Sequence, residues 1–245
     1  MENTSPRTPL LISFSGVDGS GKSTQIEYLL ASLQARGLKT RRLALWDDVV
    51  VGAKYRESFV HQIYKSERGV GLPGKPVSRR DKNMRGWHLT LARHFLYLLD
   101  AIHLCRVVAR ERRRPGKCQT RPDVIVFDRY IYDELANLEL DNPLSRVFVK
   151  LVDRIVPRPG IAYLLDADPT AAYARKPEYP VDFMIHCRQA YFDLAAELGT
   201  MTVIPPVGLA ETEQAVMAAA EPRLPSTGEG NKRRVRAFFG GLIRP

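Results

Sequence analysis

The chain has 245 residues, of which 44% are hydrophobic, and it carries a formal net charge of +10. That length suits one α/β domain with or without a tail, and the apolar fraction supports a buried core. No run approaches the ~20 apolar residues of a membrane span, the first residues lack the apolar stretch of a signal peptide, and Cys105, Cys118 and Cys187 are too scattered for a disulfide framework or a zinc site, which fits a reducing, cytoplasmic setting.

Residues 1–9 carry two prolines and read as a disordered lead. Leu10 to Ser15 is an apolar strand. Lys22 to Arg36 is a helix with Ile26, Leu29, Leu30 and Leu33 on one face, and Gly37 is placed to end it. Thr40 to Trp46 reads as a second strand and residues 49–68 as containing a helix. Gly69 to Arg85, rich in Gly, Pro and charge, reads as a long mobile loop. A long helix is expected over Trp87 to Arg114, then a basic loop over Pro115 to Pro122. Asp123 to Asp128 is a buried strand that closes on an acid. Helices are expected over Asn142 to Ile155, residues 169–176, Val181 to Leu198 and Ala210 to Ala220. Strands are expected over Gly160 to Asp166 and Thr200 to Ile204. Residues 10–221 thus form one domain, followed by a basic, flexible tail over 222–245. The positive charge is concentrated in Arg106 to Arg121 and in that tail, and is read as solvated segments rather than as a nucleic-acid contact.

Between the first strand and the first helix lies Gly16-Val17-Asp18-Gly19-Ser20-Gly21-Lys22-Ser23-Thr24. Strand, glycine-rich turn and helix together make G-x-x-x-x-G-K-[ST] a phosphate-binding loop. Its backbone N–H groups turn inward onto phosphate oxygens, and the start of the helix adds positive potential. Lys22 reaches the outer phosphates and the Ser23 hydroxyl can ligate Mg²⁺. The chain is therefore expected to bind a nucleoside triphosphate.

Alternating strands and helices imply a parallel sheet covered on both faces, with ligands at the carboxyl ends of the strands. The phosphate loop, Trp46-Asp47-Asp48, Asp128-Arg129-Tyr130 and Asp166 to Asp168 all follow strands, so they are expected to converge on one edge. Asp128 closes an apolar strand, where a carboxylate can hold Mg²⁺ directly or through water. Arg129 can bridge two phosphates and neutralise charge during transfer. Arg175 and Lys176, flanked by Pro177 and Pro180, sit where a loop could close over phosphates and exclude water.

The stretch Phe14 to Gln25, the turn Asp128-Arg129-Tyr130, and Leu165-Asp166-Ala167-Asp168-Pro169 followed by Ala172 and Arg175 together resemble thymidylate kinases. The order and spacing hold from Leu10 to about Ala220. The resemblance implies a five-stranded P-loop fold with helices on both faces, transfer of the γ-phosphoryl of ATP to a nucleoside monophosphate with Mg²⁺, and a homodimer. It implies that Asp18 lies near the acceptor's sugar, that Arg129 contacts phosphate, and that Arg175, on the lid, supplies the charge that Gly19-Ser20 lack. The acceptor half departs from the pattern. Leu45-Trp46-Asp47-Asp48-Val49 stands where the family carries Arg-Glu-Pro-Gly-Gly-Thr, the long helix has no Phe-x-x-x-Arg pair, and Asp133 replaces a customary serine. Trp46 and Arg93 are the acceptor-side candidates, and Asp18 or Asp47 would be the base if the acceptor were a free hydroxyl. Open alternatives are a kinase for another nucleotide, a nucleoside or a small phosphorylated metabolite, or a nucleotide-binding regulatory protein without turnover.

Overall fold

The computed structural model describes residues 8–52, 87–113 and 121–225. The loop expected over 69–85, nearly all of the helix expected within 49–68, and most of the lead, the basic loop and the tail lie outside the described residues. Within them, five parallel strands form a sheet in the order β2-β3-β1-β4-β5. These are β1 (Leu10–Ser15), β2 (Thr40–Ala44), β3 (Val124–Asp128), β4 (Ile161–Leu165) and β5 (Met201–Ile204). The helices between them are α1 (Lys22–Ala35), α2 (Trp87–Arg113), α3 (Ile131–Leu135), α4 (Pro143–Ile155), α5 (Pro169–Arg175), α6 (Val181–Leu198) and α7 (Leu209–Ala220).

The three central strands, β1, β3 and β4, read as apolar runs because both faces of the sheet are buried there, whereas the edge strand β2 exposes Arg41 and Arg42. Alternate residues feed two separate cores. Ile12, Phe14, Val124, Val126, Tyr163 and Leu165 face α1 and α7, meeting Ile26, Leu29, Leu33 and Val216. Leu11, Leu43, Ile125, Phe127 and Leu164 face the other way, onto Leu104 and Val108 of α2, Val149 and Val152 of α4, and Leu194 of α6. Ser13 and Ser15 of β1 lie on this second face and are fully buried. Register brings the strand ends level: Asp128 is opposite both Phe14 and Ala44, and Ser15 is opposite Leu164.

Local signals set several boundaries. Asn142 caps α4 by accepting from Leu144 N–H at 2.9 Å, with Pro143 at the first helical position. Asp168 caps α5 in the same way, accepting from Ala171 N–H at 2.8 Å. Two segments differ from the sequence expectation. The second strand stops at Ala44 rather than Trp46, because the Asp48 carboxylate takes the Ala44 N–H at 2.7 Å and residues Leu45–Val49 close a single π-turn, with Val50 N–H on Leu45 O. The short helix α3 has no counterpart in the sequence reading, since five residues are too few to show a 3.6-residue period.

Candidate active site

The phosphate loop leaves β1 at Gly16, whose φ is +142° and whose missing Cβ would stand 2.5 Å from Leu165 O. Gly19, at φ +79°, is approached as closely by Ala172 O of α5. Any side chain at either position would push the loop off its support. Lys22 folds back into this frame. Its Nζ donates to Gly16 O at 2.9 Å and to Val17 O at 2.8 Å, and the residue is 7% exposed. Burial lowers its pKa to about 8, helped by the positive charge of Arg129 and opposed by Asp18, Asp133 and Asp128. Those charges therefore gather round one lysine although they come from distant parts of the chain.

Arg129 follows the end of β3 with φ +65°, the one non-glycine residue with positive φ among those described. Its N–H still donates to Phe14 O at 3.0 Å, so the strained residue is locked against β1. The guanidinium lies between two carboxylates, with Nη2 on Asp18 Oδ1 and Nη1 on Asp133 Oδ1 at 3.0 Å. Burial alone would disfavour its charge, but Asp133, Tyr191 and Asp18 outweigh that and raise its pKa above the ordinary arginine value. Asp128 itself pairs with Arg42 of β2 at 2.5 Å through Oδ2. Arg175 donates from Nε to Gly19 O at 2.8 Å, so α5 delivers its arginine onto the loop.

The predicted residues thus separate into groups. Asp18, Lys22, Asp128, Arg129 and Arg175 are gathered at the carboxyl edge of β1 and β3, with Gly16 to Thr24 forming the loop. Trp46 and Asp47 sit on the π-turn just beyond Ala44, the residue level with Asp128. Trp46 is 50% exposed, so it does not fill the core. Arg93 is half-buried on α2. The helical stripe it shares with Asp100 serves the π-turn instead. Asp100 accepts Val51 N–H at 2.8 Å, and His103 Nδ1 lies 2.6 Å from Val49 O and must carry the proton, since a carbonyl only accepts. These contacts fasten the end of the π-turn to α2. Asp166 and Asp168 serve structure: Asp166 forms a two-pronged pair with Arg188 at 2.6 and 2.7 Å, and Asp168 caps α5.

Sequence reading missed Arg42 and Tyr191, and noted Asp133 only as a departure. Arg42 had no local signal, because an alternate position on an edge strand says nothing of its diagonal neighbour. For Asp133 the signal was there: an acid three residues after Tyr130 is placed to take the Tyr130 N–H, which its Oδ2 does at 3.1 Å.

No protein-family model matches the chain. A thymidylate kinase of Bifidobacterium longum subsp. infantis is 28% identical over 198 residues, covering 76% of this chain and 74% of that protein. A probable thymidylate kinase of Archaeoglobus fulgidus is 22% identical over 219 residues, covering 86% and 95%. Among solved structures, a thymidylate kinase from Candida albicans aligns with a TM-score of 0.52 at 15% identity, covering 88% of this chain and 92% of that one. This chain is thymidylate kinase-like. The sequence comparisons carry that statement, and the structural likeness carries the P-loop α/β fold. The same relatives carry the further statement that the chain is a P-loop phosphotransferase.

Proposed function

We propose that residues 10–221 form a kinase domain that transfers the γ-phosphoryl of ATP to a nucleoside monophosphate, with dTMP the foremost acceptor. The observation that carries this reading is the meeting of three separated segments at one sheet edge. Lys22 lies in the loop, Arg129 reaches Asp18 of that loop, and Arg175 reaches its Gly19. Relatives covering about three quarters of the chain bear the thymidylate kinase name.

Each residue then has a role. The loop N–H groups and Lys22 hold the donor phosphates. Arg129 and Arg175 neutralise charge between donor and acceptor, which is most of what phosphoryl transfer needs. An acceptor phosphate is already ionised at neutral pH, so no strong base is required. Asp18, paired with Arg129, would meet the acceptor's sugar, and the exposed Trp46 offers a stacking face for a base. For Mg²⁺ the donor set is one hydroxyl, Ser23 in the first turn of α1, and one carboxylate, Asp128. That set fits an ion that keeps several waters and binds substrate phosphates. Once bound, the ion would supply countercharge to the transferring group. Asp128 also has a protein partner, Arg42, on its Oδ2.

A homodimer belongs to the same proposal. His94 of α2 packs on Phe148 of α4 at a ring distance of 4.4 Å. The two helices nevertheless expose Leu91, Phe95 and Ile102 on one, and Leu144, Val147, Leu151 and Ile155 on the other. A second copy of the chain would cover these faces. No helix among the described residues is long and apolar enough to cross a membrane, and we place the activity in the cytoplasm.

The proposal is tested by a coupled assay of ADP release across dTMP, dUMP, dCMP, GMP and thymidine. The fastest turnover is expected with dTMP. Turnover of another acceptor but not dTMP would transfer the assignment, and ATP binding without turnover of any acceptor would sink it.

A further inference from the structure

The two carboxylates that hold Arg129 are not equivalent. Asp133 has a side chain only 3% exposed, whereas the Asp18 side chain is 25% exposed. Asp133 uses both of its oxygens. Oδ1 accepts from Arg129 Nη1 at 3.0 Å and from Tyr191 Oη at 2.7 Å, while Oδ2 accepts from Ser15 Oγ at 2.6 Å and from Tyr130 N at 3.1 Å. These four donors come from the end of β1, the Asp128 turn and α6. A carboxylate has about four lone-pair sites, so Asp133 is saturated. Moving it would orphan buried donors on three elements at once, each at a cost of an unmade hydrogen bond. Asp18 lies on the loop itself, and its carboxylate is partly exposed where it meets Arg129, so water or a substrate hydroxyl can reach that contact.

We propose that Asp133 is a positioning residue that fixes one arm of the Arg129 guanidinium and leaves the other arm, on Asp18, to exchange onto a substrate phosphate. The inference deepens the phosphotransfer reading and rests on it. Arg129 is well placed for such a pivot. Its backbone is pinned to Phe14 O in a positive-φ conformation, so the guanidinium can swing only about its own side-chain bonds. The planar fork keeps Nη1 on Asp133 while Nη2 changes partner, and a phosphate oxygen is a strong charge-assisted acceptor. The exchange also frees Asp18 to meet the acceptor's sugar. Serine, with one side-chain oxygen, could not accept from Ser15, Tyr130, Tyr191 and Arg129 together, whereas the carboxylate of Asp133 does.

The experiment uses the full chain with arginine side chains labelled with ¹⁵N, and the Arg129 signals are assigned by their loss in Arg129→Lys. The guanidinium of the unsubstituted protein is expected to rotate slowly, and ADP or dTMP should shift the Nη2 signal while leaving Nη1 in place. In Asp133→Asn the Nη signals should collapse to an average. Turnover should fall on the order of 10- to 100-fold while ATP affinity, measured by equilibrium titration, stays within about twofold. In an Arg129→Lys background the same Asp133→Asn change should cost less than about threefold, because its effect acts through Arg129. Equal losses in both backgrounds, or unchanged Arg129 signals in Asp133→Asn, would overturn the proposal. Should Asp133→Asn not fold, Tyr191→Phe removes one donor to the same oxygen and should give partial averaging with a loss of a few-fold; unaltered signals there would overturn the proposal equally. If no nucleotide is turned over by the unsubstituted protein, the functional reading fails, and the Arg129 signals still decide the role of Asp133.

Discussion

Lys22 carries its positive charge in a place with little water. Its pKa of about 8 lies below the ordinary 10.5 because burial, then Arg129, disfavour the ammonium. The sign of the consequence follows from proton counts. Between those two values the unfolded chain binds more protons at this residue than the folded one, so stability rises with pH across that window. Below about pH 8 both states are protonated and the full cost is present. We expect Lys22 to contribute a rise of up to about 3 kcal/mol between pH 8 and 10.5 in the nucleotide-free protein. Lys22→Met should abolish that part of the rise in urea melts, and should remove ATP binding. A pH dependence identical in the two proteins would contradict the assignment. Gly19 offers a second measurement at this scale. Gly19→Ala places a methyl 2.5 Å from Ala172 O at a positive φ. The left-handed backbone alone costs about 1–2 kcal/mol, and the clash must move either the loop or α5. A lowered thermal midpoint and weakened ATP binding are expected together.

Among the elements, the π-turn after β2 carries Trp46 and Asp47, the proposed acceptor-side residues, and is held by neighbours on its own turn and on α2. Asp48 stops the strand, and Asp100 and His103 fasten the following residues to α2. Asp100→Ala leaves Val51 N–H without this partner and should destabilise the fold by about 1–3 kcal/mol. It should raise the KM for the acceptor more than that for ATP, since Trp46 rides on the same turn. The exposed faces of α2 and α4 make a separate prediction. Leu151→Glu puts a charge in the middle of the apolar stripe of α4 and should convert a dimer to a monomer in sedimentation, with the monomer's fold unchanged by circular dichroism. A monomer in the unsubstituted protein would remove the dimer from the proposal.

For the whole molecule, the question is how segments as far apart as Asp18 and Arg129 come to form one site. A parallel sheet with level strand ends supplies the answer: Phe14, Ala44 and Asp128 share a register, and Gly16 rests against the end of β4. On this frame α5 carries an exposed arginine, and Arg175 already touches Gly19 O. Arg175→Ala should leave stability within about 0.5 kcal/mol, as for an exposed position. It should lower kcat on the order of 10²- to 10³-fold, by analogy with arginines that neutralise transferring phosphate. Loss of stability without loss of rate would reverse the reading of this residue.

Much of this was already written in the chain. The phosphate loop was legible because its chemistry is local: glycines, lysine and hydroxyl must be adjacent, with a strand before and a helix after. The central strands β1, β3 and β4 were legible because burial on both faces demands unbroken apolar runs. Packing across the sheet decided the rest. That Arg42 would pair with Asp128, that Arg129 would be shared between Asp18 and Asp133, and that Tyr191 would close the same network depends on which strands are neighbours and in what register. Charges 111 residues apart, as Asp18 and Arg129 are, become partners only when the backbone around them is fixed. A linear sequence names such groups but carries no local signal for their pairing, because the distances that determine electrostatic and hydrogen-bond energies exist only in the folded chain.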